Sequence, residues 1–226
     1  GFAAATFMRG MPWVALPTTL LSMVDASIGG KTGFDLPEGK NLIGSFYPPR
    51  LVLANPYVLS TLDDAELRSG LAEVVKHGVI ADPALFTLCS GGFEAVKADL
   101  VPIVQRAMAV KVQVIEADPY EQGIRAALNF GHTVGHAIEK VSNYKIRHGE
   151  AVAIGMVVEA RLSENLWICG KGLANRISAT LMALGLPVEI PPELPRKELI
   201  AAMRNDKKRE TGVVHFALPE EIGAMQ

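Results

Sequence analysis

Asn129-Phe130-Gly131-His132-Thr133-Val134-Gly135-His136-Ala137-Ile138-Glu139, followed by His148-Gly149-Glu150, is the stretch on which the reading of this 226-residue chain turns. Three of the five histidines fall here, flanked by acids. His132 and His136 are four apart, so a helix carries them on one face. Neutral imidazole is the commonest metal ligand, and zinc-type sites combine nitrogen donors with a carboxylate. The spacing predicts a cation site open to both His132 and His136, with His148 returning from a later segment. A helix is expected over 126–141, and the steps of three or four between Glu121, Arg125, Asn129, His132 and His136 put those five along a single helical stripe. A polar stripe is usually a solvated face. This one has two histidines on small-residue turns and no ordinary surface lysine, so it reads as an active-site face.

Outward from that stretch the pattern is mostly helical. Asp63-Asp64-Ala65-Glu66 is a helix start, continued to residue 80. Further helices are predicted over 86–89, 99–118, 150–167, 173–184 and 197–204, and the apolar 150–167 segment reads as a central buried helix. Before residue 60 the pattern differs. A small-residue helix covers 1–9. Short apolar runs at 13–16 and 51–54 read as buried strands, and Thr18 or Thr19 is a candidate helix cap. Residues 27–44 are glycine-rich and aperiodic and read as an irregular, functional loop. A last strand is predicted at 213–217. The fold class is therefore α/β plus multihelical, with 1–60 as the α/β part and 61–226 as an α-helical domain.

Composition excludes several functions. A net charge of −2 offers no basic field for nucleic acid and no polybasic membrane patch. The longest apolar run, at 151–158, is too short to span a bilayer. Cys89 and Cys169 match no metal or redox spacing and read as reduced thiols in a cytoplasmic protein. Gly29-Gly30-Lys31-Thr32 looks like the end of a P-loop, but that motif needs a glycine where Asp25 stands. The same loop, with Asp25, Lys31, Lys40 and Asn41, suits a small anionic substrate better. Glu73 and Lys76, three apart, make either an exposed ion pair of small value or a buried pair. The spacing by itself favours the exposed pair; the apolar neighbours leave burial open, and a buried Glu needs a partner such as a cation or metal.

Several long motifs then run in one order: PTTLLSMVDASIGGKTGFDLPEGKNLIGSFYPPRLVLA (17–54), SGLAEVVKHGVI (69–80), RAALNFGHTVGHAIE (125–139), HGEAVAIGM (148–156) and NDKK (205–208) with its following glycine. Together they resemble the 3-dehydroquinate synthase family over nearly the whole chain. The resemblance implies conversion of 3-deoxy-D-arabino-heptulosonate 7-phosphate to 3-dehydroquinate and phosphate, with NAD and Zn2+ or Co2+ as cofactors, in a homodimer. It implies metal ligation by Glu73, His132 and His148, which leaves His136 to the substrate. Asp25, Lys31, Glu121, Asn129 and His136 match catalytic positions. Arg9, Lys31, Asn41, Lys76, Lys111, Arg125, Asn129, His136 and Lys207 match substrate contacts, with Arg9 reaching the neighbouring subunit's site. Thr18, Thr19, Asp25, Lys31, Lys40 and Thr61 match positions near the nicotinamide cofactor.

Against the family pattern, this sequence opens after the glycine-rich turn that holds the NAD pyrophosphate. The expectation is that residues 1–60 are the end of a Rossmann-like domain and that this chain by itself is catalytically impaired. Related cyclases that make inosose or valiolone products are the nearest rival. A metal-dependent polyol dehydrogenase would not need the lysines at 31, 40, 76 and 111. A metal-binding helical fragment without activity is the non-enzyme alternative.

Overall fold

The computed structural model describes residues 1–36, 39–119, 123–207 and 213–226, with backbone alone at 35, 39–41 and 205–207. A small α/β part comes first. Helix α1 (Phe2–Thr6) leads to strand β1 (Val14–Ala15), which pairs in parallel with β4 (Leu51–Val52). The Thr19 hydroxyl accepts the Ser22 amide, 3.1 Å away, and so starts a π-helical turn over Ser22–Ala26 that carries Asp25. Between them, β2 (Phe34–Leu36) and β3 (Gly39–Ile43) form an antiparallel hairpin, with a further bridge from Lys31 to Phe46.

This corrects the expectation of an irregular loop at 27–44. Its many glycines hide the strand signal, yet they permit the pairing. A β-carbon on Gly44 would lie 2.6 Å from Gly33 Cα, so only glycine lets the two arms close there. The expectation that the 13–16 and 51–54 strands are buried is also corrected. Val14, Leu16, Leu51 and Leu53 are each more than half exposed. Their apolar character suits a parallel sheet covered on both faces, but the described residues supply a sheet of only two strands.

The helical part is built on α2 (Asp64–Ala81) and α7 (His148–Asn165). The Asp63 carboxylate accepts the Ala65 amide at 2.7 Å and caps α2, with Asp64 and Glu66 favourable at the positive end of the helix dipole. Nearly the whole of α2 beyond Leu67 is buried. Helices α3 (Pro83–Cys89), α4 (Phe93–Ala98), α5 (Leu100–Ala117) and α8 (Leu173–Ala183) complete one core with α2 and α7. A second core lies between α6 (His132–Val141), α7 and α9 (Arg196–Lys207). The short α4 has no counterpart in the sequence reading, because six residues give too little periodicity. Among the described residues, no helix is long and apolar enough to cross a membrane.

Two more corrections concern the ends of elements. The helix expected at 126–141 is broken. Ile124–Asn129 is a 3₁₀ segment, Phe130 is extended, and Gly131 takes φ +79 before α6 begins. Phe130 is fully buried in the main core, so the chain bends to place it. The four described residues of the expected stripe, Arg125, Asn129, His132 and His136, therefore do not share one helix, and Glu121 lies outside the described residues. The strand expected at 213–217 is instead β5 (Pro219–Glu221), which pairs with β6 (Ala224–Met225) around Gly223. A strand needs a neighbour, and pairing begins only where the chain turns back on itself.

Candidate metal and substrate site

Three elements bring the metal-type residues together. Glu73 projects from the middle of α2, His132 opens α6, and His148 opens α7. Their ligand atoms lie within 4.8 Å of one another. His148 Nε2 is 3.3 Å and His132 Nε2 3.5 Å from the same oxygen, Glu73 Oε1. Glu73 is fully buried and accepts no hydrogen bond from any described residue, although its other oxygen touches Lys76. A buried carboxylate oxygen left open between two imidazole nitrogens fits a divalent cation.

The second nitrogen of each imidazole is also engaged. His132 Nδ1 lies 3.1 Å from the Phe130 carbonyl, and His148 Nδ1 lies 3.4 Å from Glu139 Oε1. In the neutral form of each imidazole, donation from Nδ1 leaves the Nε2 lone pair facing Glu73, which is the arrangement a cation requires. Burial pushes the Glu73 carboxyl up, but Lys76, His132 and His148 outweigh it and hold it well below the usual carboxylate range. Burial, then Lys76, drives His132 down to about 3. For His148 burial also acts downward, yet Glu139 and Glu73 carry it to about 9.

The remaining expected residues fall in several places. Lys76 is buried against Glu73, so the pair is not the exposed one of small value. Asp25 pairs with Lys111 of α5; burial raises its carboxyl, and Lys111 outweighs that to hold it below its ordinary value. Arg125 is buried and donates to the Pro119 carbonyl at 2.6 Å. A β-carbon on Gly29 would lie 3.0 Å from its guanidinium, which brings the 27–33 segment and Arg125 together. His136 is exposed and sits edge-on to His132, ring centroids 5.2 Å apart. Both histidines thus share the region, but the close approaches to Glu73 come from His132 and His148. Asn129 ends the 3₁₀ segment, half-buried, and lines a cavity of about 190 Å³ with His215. Arg9, Thr18, Lys31 and Thr61 are exposed. Thr61 Oγ1 donates to the Val58 carbonyl at 3.1 Å, and Thr19 is spent on its cap. Glu121 and the side chains of Lys40, Asn41 and Lys207 lie outside the described residues.

The structure adds three groups that the sequence reading left without a role: Glu139 behind His148, Glu159 beneath α6, and His77. Glu139 carries a signal, standing seven residues after His132 on the same face. Glu159 carries another, as a single acid among Val157, Val158 and Ala160. His77 is fully buried and makes no hydrogen bond to any described residue; burial and Lys76 push it down to about 3, so it stays neutral.

The family model described as 3-dehydroquinate synthase N-terminal matches residues 1–69, and the one described as 3-dehydroquinate synthase C-terminal matches residues 70–209. The 3-dehydroquinate synthase of Synechocystis is 49% identical over 230 residues, and that of Pelobacter propionicus 50% over 228. Each comparison covers 99% of this chain but only 64% and 63% of those relatives' length. Among solved structures, the 2-epi-5-epi-valiolone synthase ValA of Streptomyces hygroscopicus, with NAD+ and Zn2+ bound, superposes at TM-score 0.89 and 32% identity, covering 100% of this chain and 64% of that one. A 2-deoxy-scyllo-inosose synthase complexed with carbaglucose-6-phosphate, NAD+ and Co2+ gives TM-score 0.89 at 28% identity, with the same coverage of each chain. With both family models matched in order across the chain and half its residues shared with these relatives, the chain belongs to the 3-dehydroquinate synthase family.

Proposed function

We propose that this chain carries the cation- and substrate-binding site of a 3-dehydroquinate synthase, which forms 3-dehydroquinate and phosphate from 3-deoxy-D-arabino-heptulosonate 7-phosphate. In this reading residues 61–226 hold the cation and most of the substrate, and residues 1–60 face NAD. The observation that carries it is the open Glu73 oxygen between the Nε2 atoms of His132 and His148. The family membership supplies the reaction.

Glu73, His132 and His148 are the residues that would hold Zn2+ or Co2+. When bound, the metal polarises a substrate hydroxyl or carbonyl as a Lewis acid, and NAD+ supplies the hydride chemistry. The chain's own groups do the rest. Lys76 beside the buried Glu73 and Lys111 beside the half-buried Asp25 keep the pocket electrically balanced and present ammonium donors to an anionic substrate. Arg125 can take a carboxylate through its planar fork. Exposed His136 can exchange a proton between the site and solvent. Exposed Phe7 and Met8, outside the two-stranded sheet, support a homodimer. The two free, buried cysteines support a reducing, cytoplasmic setting.

The test reads binding before turnover. Calorimetry with Co2+ should show one equivalent bound, lost in Glu73→Ala. The Co2+-loaded chain should then bind 3-deoxy-D-arabino-heptulosonate 7-phosphate more tightly than sugar phosphates that lack a carboxylate. Equal affinity across that panel would overturn the substrate. An absence of Co2+ binding would overturn the site.

A further inference from the structure

We propose that Glu159 is a positioning residue for the metal site, holding the N-terminus of α6 so that His132 meets Glu73. This rests on the reading of Glu73, His132 and His148 as the cation ligands.

Glu159 is fully buried on α7, among apolar neighbours. An ionised carboxylate in such a place must be compensated. Its two oxygens take two backbone amides: Oε2 accepts from Gly131 at 2.7 Å and Oε1 from Val134 at 3.2 Å. Both amides belong to the start of α6, where helical donors have no partner within the helix. Such donors are usually satisfied by the side chain of the capping residue. Here the capping residue is Gly131, which has none. Nor can it have one, because a β-carbon would lie 2.6 Å from Met156 Cγ and 2.8 Å from the Val152 carbonyl oxygen. The cap therefore comes from another helix.

The two clamped residues bracket His132. The residue before Gly131, Phe130, supplies the carbonyl that faces His132 Nδ1 at 3.1 Å. Glu159 thus fixes the backbone on both sides of the ligand and, next to it, the group that orients its ring. The negative charge also sits where the positive end of the α6 dipole favours it. A carboxylate suits this duty better than an amide. Gln has one acceptor oxygen and would turn its NH2 toward the second backbone N–H.

The discriminating experiment compares Glu159→Gln with Ser163→Ala, using Co2+ alone as the probe. Ser163 lies one turn further along α7, is fully buried, and donates to the Pro219 carbonyl at 2.6 Å. It serves as a control for losing a buried hydrogen bond away from the site. Glu159→Gln should weaken Co2+ affinity about tenfold or more and alter the visible Co2+ absorption, on the scale seen for outer-shell partners of metal ligands. Ser163→Ala should lower Tm while leaving affinity and spectrum unchanged. Wild-type affinity and spectrum in Glu159→Gln, whatever its Tm, would overturn the role and leave the metal reading standing. Equal loss of affinity in Ser163→Ala would overturn it too. Should Glu159→Gln fail to fold, amide exchange in the metal-free wild-type chain decides: strong protection at 131 and 134 is expected, and rapid exchange there overturns the clamp. A wild-type chain that takes up no Co2+ would bring down the metal reading and the role of Glu159 together.

Discussion

Glu139 Oε1 stands 3.4 Å from His148 Nδ1, on the side of the ring opposite the nitrogen that faces Glu73. Glu139 is 5% exposed, so its carboxylate is directed inward rather than at solvent. Such a carboxylate fixes the tautomer and orientation of a ligating imidazole. Glu139→Ala should weaken Zn2+ or Co2+ affinity by about 10–100-fold, measured by competition with a chromophoric chelator. Lys140→Ala, one residue on and exposed, should leave it unchanged. Equal affinity in both variants would remove Glu139 from the site.

Gly155 lies against Gly131 at the crossing of α6 and α7, so close that an added β-carbon would overlap the Gly131 carbonyl oxygen. Gly155→Ala must push the two helices apart. Overpacking of this kind costs about 1–3 kcal/mol. The loss should show in urea unfolding, with weaker Co2+ binding because His132 moves with α6. Gly170→Ala meets nothing within 4 Å and should be close to neutral. Matching stabilities for the two variants would contradict the crossing.

Asp82 caps α3, accepting the Ala84 and Leu85 amides at 3.1 and 3.0 Å and the Arg106 guanidinium at 2.6 Å. Partial burial raises its carboxyl, but the Arg106 hydrogen bond and the backbone amides bring it below its ordinary value. The folded pKa is therefore lower than the unfolded one. The stabilisation is present above pH ~4 and is lost as pH falls through the folded value. Asp82→Ala should cost about 1 kcal/mol at pH 7. The gap between variant and wild type should narrow below pH ~4. A gap that stays constant from neutral to acid pH would show that the charge contributes nothing.

Cys89 is fully enclosed in the main core, and burial, with Asp82 nearby, pushes its thiol up to about 12. The thiolate is the reactive form. Iodoacetamide at pH 8 should leave Cys89 unmodified in the folded chain and alkylate it in urea, as read by peptide mass spectrometry. Rapid labelling in the folded chain would contradict its burial.

The long helices were legible because their signals are local and repeated. Asp63 announces the start of α2, and Gly185 follows the end of α8 with φ +76. The small-residue run at 150–167 marks α7 as the helix others approach closely. The hairpin at 34–43, the short α4 and the placement of the last strand were not legible. A few residues carry little periodicity, and pairing depends on what the chain meets in space. The site was partly legible. Spacing marked the histidine-rich stretch as a cation site but left His132 and His136 equivalent, and the resemblance preferred His132 with His148.

Residue type and order alone determined the donors available for a cation, the helical character of the elements that bear them, and the family to which the chain belongs. Residue spacing left open which donors converge, and the tertiary structure brings Glu73, His132 and His148 together. The break at Phe130 and Gly131 ends the notion of one polar stripe, since a buried Phe forces the bend and the bare glycine seats α6 against α7. That seating rotates His132 toward Glu73 and leaves His136 exposed. Helical periodicity places residues on a face, but the direction of that face is set by the packing of one helix on another.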